Sequence, residues 1–185
     1  MEVPKNLLIL SNNVVKFCNS GDDILEFCGP IPRKLKYISN PPQRQPVQEL
    51  VNRICTTKFP KTKTILENMG FIIKLYGTIN NEKISWVEIA KNISIDIQSK
   101  EIDKGIIFCY TGTGVTIVAN RFQGIRASLC NTEEIAICAK KWNDSNILTM
   151  GIMSVDRENI KKIIDGWHNT KVDKAEMKNI RSIDN

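Results

Sequence analysis

The stretch "GIIFCYTGTGVTIVANRFQGIRASLC", residues 105–130, decides the fold of this chain. It begins as an apolar run that reaches Cys109 and turns through Gly112 and Gly114. It continues with a helical pattern at 114–122 and returns to a second apolar run at 125–130. That order predicts a strand, a glycine turn, a helix and another strand. Because the two strands are joined by a helical crossover, we expect them to lie parallel in one sheet.

The same alternation continues on both sides of this stretch. Apolar runs that predict strands lie near the start of the chain ("LLIL"), at 71–75 and at 146–151. Helical patterns lie at 61–70, 85–99, 132–142 and 157–168. Ser85 and Thr132 are the expected N-caps of two of these helices, and Gly70 suits the C-terminal cap of the first. Repeated strand and helix units are typical of an α/β fold with a doubly wound parallel sheet. Such sheets bind ligands at the carboxyl ends of their strands, and Cys109 lies at such an end.

Residues 14–62 do not follow this alternation. They contain all but one of the seven prolines of the chain, which favours loops and extended segments. We interpret them as an insertion after the first strand, either a surface cover or a lid or subunit contact. The whole chain of 185 residues is of a size that forms a single domain, 1–185.

Composition argues against several classes of protein. The net charge is +6, but the lysines are spread along the chain without an aromatic-interleaved basic stripe, so no nucleic-acid partner is expected. No apolar run approaches the roughly 18 residues of a membrane span, and no signal peptide is recognisable, so we expect a cytoplasmic protein. Six cysteines without metal-ligand spacing and a single histidine predict free thiols, with no metal and no cofactor.

The glycine turn after Cys109 has the features of a small reactive site. Gly112 and Gly114 allow backbone to approach a ligand closely, and the N–H groups at the start of the next helix attract anions. That helix start is also expected to lower the pKa of Cys109 and so favour a thiolate base. The alternative is an inert thiol at the end of a buried strand. Hydroxyl groups are supplied nearby by Thr111, Thr113 and Thr116.

Residues 105–130, followed by "WNDSNILTMG" at 142–151, resemble the family of type B ribose-5-phosphate isomerases and galactose-6-phosphate isomerase subunits. The resemblance runs from 76–78 to about 165–168. It implies a Rossmann-like three-layer sandwich with a parallel sheet of about five strands, assembled as a dimer or a dimer of dimers. It also implies a metal-independent isomerase that interconverts aldose and ketose phosphates through an enediolate.

The resemblance also implies roles for individual residues. Cys109 stands where the family has its catalytic base, and Thr111 stands where a threonine helps to stabilise the enediolate. The other positions implied to bind the sugar phosphate are Ser11, Asn12, Gly112, Thr113, Gly114, Thr116, Asn120, Trp142 and Asn143. Gly124 and Arg126 match the family pattern as well. In this family each site is shared, with the cysteine from one subunit and a ring-opening histidine from its neighbour.

Several family positions are replaced. Trp142 stands at the ring-opening histidine, and an indole has one N–H donor but no basic nitrogen with which to relay a proton. Glu176 and Ile180 stand at positions where the family uses arginines to bind phosphate. The nearby cations that would have to substitute for them are Lys174, Lys178 and Arg181.

Three interpretations therefore stay open. The chain is a sugar-phosphate isomerase with a cysteine base, a non-catalytic member that binds a sugar phosphate, or one subunit of a heteromeric isomerase. His168, near the end of a predicted helix, has two readings as well. It is either a replacement acid or a histidine placed favourably at a helix C-terminus.

Overall fold

The computed structural model of the chain describes residues 6–12, 62–77, 82, 84–156 and 158–183. Within them the strands are β1 (Asn6–Asn12), β2 (Ile72–Leu75), β3 (Gly105–Cys109), β4 (Ala127–Leu129) and β5 (Ile147–Gly151). The helices are α1 (62–68), α2 (Trp86–Gln98), α3 (Thr113–Ala119), α4 (Glu133–Asn143), α5 (Asn159–Asn169) and α6 (Met177–Ile183). The predicted insertion at 14–62 lies outside the described residues except for Thr62.

The strands form one parallel sheet in the order β2-β1-β3-β5-β4, which confirms the predicted α/β architecture. The chain leaves β1 toward β2 on one side and later returns to β3 on the other side of β1. Asn12 pairs in register with Phe108, so β1 and β3 end together at this reversal. Ligands of open parallel sheets bind at such a switch point. We call the end of the sheet that includes Asn12 and Cys109 the carboxyl edge, and the opposite end the amino edge.

The side chains of the central strands are buried on both faces of the sheet, so helices must cover both faces. All five residues of β5 and the first four of β3 are buried, although alternate residues of a strand point to opposite faces. Helix α2 packs beside α3, and α4 packs beside α5. Trp167 of α5 is buried in the core and donates its indole N–H to the Ser145 hydroxyl at 2.8 Å.

The predicted helix ends at Ser85 and Thr132 are confirmed. Ser85 forms a complete capping box with Glu88 at the start of α2, and the Thr132 hydroxyl accepts from the Ile135 N–H at the start of α4. Gly70, after α1, has a φ of +82°, which suits the predicted C-terminal cap.

Helix α3 and strand β4 are shorter than the patterns at 114–122 and 125–130 predicted. The helix stops at Ala119, and the Asn120 side chain then bonds the backbone N–H and C=O of Ala127 at 2.8 and 2.9 Å. β4 begins only at Ala127, because the backbone N–H of Arg126 donates to the Asn146 side chain. Asn146 thus takes a backbone group that a longer β4 would have used, and Asn120 joins the end of α3 to the start of β4.

Candidate active site

Cys109 ends β3 at the switch point, and its thiol is surrounded by backbone donors. The N–H groups of Tyr110, Thr111 and Gly112 hydrogen-bond to it and act to lower its pKa. Burial of the sulfur acts the other way and is the larger effect, so the pKa of Cys109 is raised above its ordinary value. The prediction of a lowered pKa is therefore wrong. The expected donors are present, but removal of the thiolate from water outweighs them.

Packing inside the fold requires a glycine at Gly112 and leaves little room for a side chain at Gly114. Gly112 has a φ of +80°, and a Cβ there would lie 2.4 Å from Leu129 Cδ1 and 3.1 Å from the Gly151 N. A Cβ on Gly114 would lie 3.0 Å from the Trp86 ring. The predicted reason for both glycines was close approach of a ligand. In the folded chain the space beside them is filled by β4, β5 and the first turn of α2.

The three threonines of the turn divide into two groups. Thr111 and Thr113 are exposed, and their hydroxyl oxygens lie 2.8 Å apart, beside the end of β3. Thr116 instead bonds the Gly112 carbonyl at 2.7 Å and the hydroxyl of buried Thr149 at 2.5 Å. The structure therefore brings Cys109, Thr111 and Thr113 to the same edge, while the Thr116 hydroxyl is engaged within the fold.

The end of β1 lies beside this turn. Ser11 and Asn12 pair in register with Ile107 and Phe108, which places their backbone next to the last residues of β3. Their predicted place at the carboxyl edge is consistent with this register. Their role in substrate binding stays a prediction.

Trp142 and Asn143 lie at the other end of the sheet. They are the last two residues of α4, which leads directly into the start of β5 at the amino edge. Trp142 is 47% exposed, and the Lys141 ammonium lies 5.8 Å from its ring centroid. Within one chain, the sheet therefore separates these two residues from Cys109.

An ion-paired turn holds the end of α4. Asp144 has a left-handed φ of +46° and bonds Arg126 Nη2 through Oδ2 at 3.0 Å, while its other carboxylate oxygen bonds Lys140. Arg126 Nε also donates to the Asp144 carbonyl at 3.1 Å. Asn146 joins the same turn to the Gly124 carbonyl at 2.8 Å. We call Arg126, Lys140, Asp144 and Asn146 the amino-edge latch.

Sequence reasoning missed the latch, although its signal was present in the N-D-x-N spacing of residues 143–146. Arg126, which also matched the family pattern, serves here as a partner of Asp144. Asn120 is likewise at the amino edge, where both ends of its amide bond Ala127. The structure does not bring Asn120 to the Cys109 turn, and its predicted contact with substrate remains untested.

His168 lies in the last turn of α5, at the opposite end of the sheet from the Cys109 turn. Its Nδ1 is 3.0 Å from Lys104 Nζ, and its ring meets Phe71 edge-on with centroids 4.7 Å apart. Lys104 and Phe71 immediately precede β3 and β2, so this contact belongs to the amino edge. The placement favours the structural reading of His168.

The replaced phosphate positions lie in and before α6. Ile180 is buried, and the Glu176 carboxylate accepts from Asn179 Nδ2 at 2.8 Å. The three nearby cations, Lys174, Lys178 and Arg181, are exposed. Their predicted role as substitutes stays open.

Neither a membrane-spanning helix nor a metal-binding cluster occurs among the described residues. None of the helices there is long and apolar enough to cross a lipid bilayer. Among the same residues, no group of three or more His, Cys, Asp or Glu side chains is arranged to hold a metal ion.

Residues 57–184 match the Ribose/Galactose Isomerase family. The chain belongs to that family. The match covers the Cys109 turn, the amino-edge latch and all strands except β1. The resemblance found in the sequence is thereby confirmed at the level of the family.

Two curated relatives show the range of the family. The chain is 36% identical to ribose-5-phosphate isomerase B of Escherichia coli over 91 residues, which is 49% of this chain and 61% of that protein. It is 37% identical to 4-deoxy-4-sulfo-D-erythrose isomerase of a Clostridium species over 92 residues, or 49% of this chain and 58% of that protein. The chain thus spans about three-fifths of the length of these relatives.

A solved structure supports the fold over a longer range. The ribose 5-phosphate isomerase of Thermotoga maritima superimposes with a TM-score of 0.66 at 26% identity, covering 97% of each chain. The Rossmann-like architecture predicted from the sequence is therefore confirmed.

Proposed function

We propose that this protein is an aldose–ketose sugar-phosphate isomerase in which Cys109 is the base. The observation that supports this proposal best is the thiol at the β1–β3 switch point with three backbone N–H groups around it. A thiol at a strand end without such donors would have no means of stabilising its anion. Family membership makes isomerisation of a sugar the chemistry to test first.

The proposed reaction moves one proton between neighbouring carbons. The Cys109 thiolate removes the proton from the carbon beside the carbonyl of an open-chain sugar phosphate, and the electrons form the enediolate. The hydroxyl proton passes from one enediolate oxygen to the other, and the thiol returns its proton to the former carbonyl carbon. That carbon then bears a hydroxyl, its neighbour bears the new carbonyl, and Cys109 is again a thiolate. The exposed hydroxyls of Thr111 and Thr113 lie at the same edge and are the side-chain donors that we propose for the enediolate oxygens.

The pH dependence of this chemistry follows from burial. Only the thiolate can take the proton, and burial raises the pKa of Cys109. Activity should therefore rise with pH through a midpoint above that of an ordinary cysteine. A raised pKa also makes the thiolate, once formed, a stronger base toward a carbon acid.

The experiment that tests this proposal is deuterium exchange. The protein is incubated in deuterated water with ribulose 5-phosphate and then with other ketose phosphates, and deuterium at the carbon beside the carbonyl is measured. We expect incorporation with the native protein and none with Cys109→Ala. Cys138→Ala is the matched control, because Cys138 is a free, half-buried cysteine on α4. Absence of exchange with every sugar phosphate in the folded native protein would reject the isomerase.

We further propose that a second chain completes the site. Trp142 and Asn143 lie at the amino edge, so a sugar held at Cys109 can meet them only in another subunit. Mixing Cys109→Ala with Trp142→Ala should then restore exchange, since one of the shared sites in a mixed dimer is intact. A mixture that stays inactive, under conditions where the subunits exchange, would contradict a shared site.

A non-catalytic sugar-phosphate binder is the second candidate. It is favoured by Trp142, because an exposed indole at the ring-opening position can stack on a sugar but cannot relay its proton. This candidate predicts calorimetric binding of ribulose 5-phosphate without deuterium exchange, and the same affinity in Cys109→Ala. A heteromeric subunit would show exchange only after a second family member is added.

A further inference from the structure

Thr149 is a polar residue in the middle of the buried strand β5. It is 0% exposed and lies between Leu148 and Met150, which are also fully buried. A hydroxyl in such surroundings is unfavourable unless it is hydrogen-bonded. Its oxygen lies 2.5 Å from the Thr116 hydroxyl and 3.2 Å from the Ser128 carbonyl. The hydroxyl is thus hydrogen-bonded to two elements, β4 and α3, and α3 directly follows the Cys109 turn.

Thr116 extends these contacts into the turn. Its hydroxyl also lies 2.7 Å from the Gly112 carbonyl, so a chain of oxygens runs from Ser128 through Thr149 and Thr116 to Gly112. We call this the hydroxyl chain. Each threonine has one hydroxyl proton, so the two protons can serve two of the three contacts at a time. The chain joins β4, β5 and the turn through side chains inside the fold.

Gly112 is held from its other side as well. Its left-handed backbone rests against Leu129 and Gly151, where no Cβ would fit. The Gly112 carbonyl also accepts the Thr116 N–H at 3.2 Å. The hydroxyl chain therefore bonds Gly112. Of the three turn residues whose N–H groups hydrogen-bond to Cys109, Gly112 has the backbone conformation that is least favourable for other amino acids.

We propose that Thr149 is a positioning residue, which acts through Thr116 to hold Gly112 so that its N–H group stays directed at the Cys109 sulfur. Thr149 does not touch the substrate. Its effect on isomerisation rests on the function proposed above, but its effect on the thiol does not.

The test measures the thiol itself in the full-length folded protein. The rate at which iodoacetamide alkylates Cys109 is followed against pH by peptide mass spectrometry, which separates this cysteine from the others. The variants are Thr149→Val, which removes the hydroxyl at nearly constant volume, and Thr149→Ser, which keeps it. Thr170→Val is the matched control. Thr170 also bonds the carbonyl four residues earlier, Gly166, at 2.6 Å, but at the end of α5.

We expect Thr149→Val to raise the midpoint of the Cys109 profile by about half a pH unit, which slows alkylation roughly threefold below the midpoint. Thr149→Ser and Thr170→Val should keep the native midpoint. Equal midpoints for native protein and folded Thr149→Val would overturn the proposal. If Thr149→Val does not fold, as judged by circular dichroism, Thr116→Val decides in the same way, since it interrupts the chain from the less buried side.

The two proposals fail separately. Absence of deuterium exchange with every sugar phosphate would reject the isomerase, but it would not affect the alkylation test of Thr149. Conversely, an unchanged alkylation midpoint in Thr149→Val would reject the positioning role even if the native protein is an active isomerase.

Discussion

The carboxyl edge and the amino edge of the sheet both match the family, but they use their polar groups differently. At the carboxyl edge, backbone N–H groups converge on the Cys109 thiol, and the hydroxyls of Thr111 and Thr113 are exposed. At the amino edge, Arg126, Lys140, Asp144 and Asn146 bond one another or nearby backbone. One edge has groups available for chemistry, whereas the other uses them to hold a turn.

The difference shows that matching a motif does not distinguish a reactive group from a structural one. A carboxylate that accepts from Arg126 and Lys140 has little capacity left for a ligand. The thiol of Cys109, by contrast, is surrounded by donors that favour its anion, while burial opposes that anion. Trp142 is exposed at the amino edge and lies outside the latch, and we propose that it acts in a neighbouring chain.

The largest effect should separate two left-handed glycines, one at each edge. Gly112→Ala places a Cβ 2.4 Å from Leu129, whereas Gly124→Ala, with a φ of +76°, has nothing within 4 Å. We expect Gly112→Ala to lower the free energy of unfolding by about 3 kcal/mol through backbone strain and overpacking together. Gly124→Ala should cost only about 1 kcal/mol, from strain alone. Urea unfolding measures both, and equal costs would show that the Gly112 turn can move aside.

A second test concerns Cys130 at the carboxyl edge and measures stability at alkaline pH. Cys130 follows β4 there, and burial raises its pKa to about 12. The folded state then keeps a proton that the unfolded state releases near pH 9, so stability falls as pH rises from about 9 toward 12. Over about 1.5 pH units above 9 the loss should be about 2 kcal/mol.

Thermal or urea unfolding between pH 8 and 10.5 measures this loss, with Cys130→Ala as the comparison. The variant should lose less stability over the same range. If native protein and Cys130→Ala show the same pH dependence, Cys130 is not the source of the alkaline sensitivity.

The latch should show a smaller effect that is confined to stability. Asp144→Asn keeps a side chain that tolerates the left-handed backbone, but it removes the charge facing Arg126 and Lys140. We expect a loss of about 1.5 kcal/mol, because both partners are mostly buried. The alkylation profile of Cys109 should not change. Asp165→Asn, whose partner Lys161 is exposed, is the control and should cost less than about 0.5 kcal/mol. A shifted Cys109 profile in Asp144→Asn would break the distinction between the edges.

The smallest change in stability should come from Trp142→Ala. The side chain is 47% exposed and lies outside the core, so the free energy of unfolding should change by less than about 0.5 kcal/mol. Exchange activity is the informative measurement. Reduced exchange in a variant of native stability would place Trp142 in a site, while a stability loss near that of Gly112→Ala would show that the indole supports the fold.

Much of the fold could be predicted because it depends on local patterns. Buried strands such as 105–109 are continuous apolar runs, and helix ends such as Ser85 carry capping residues that act within one turn. The shortened α3 and β4 could not be predicted in the same way. Asn120 and Asn146 lie at their limits, and the side chains of these two residues bond backbone that is 7 and 20 residues away in the sequence, beyond the reach of a local pattern.

The sequence by itself determined the strand and helix order, the parallel sheet, the position of Cys109 at a strand end and the family. Apolar periodicity, turn glycines and capping residues carry that information locally. The tertiary structure alone decided that burial outweighs the backbone donors in the pKa of Cys109. It also decided that Thr116 bonds inward to Thr149, and that the N-D-x-N motif forms a latch at the amino edge. These outcomes depend on distances between residues far apart in the chain, which packing sets and local patterns do not encode.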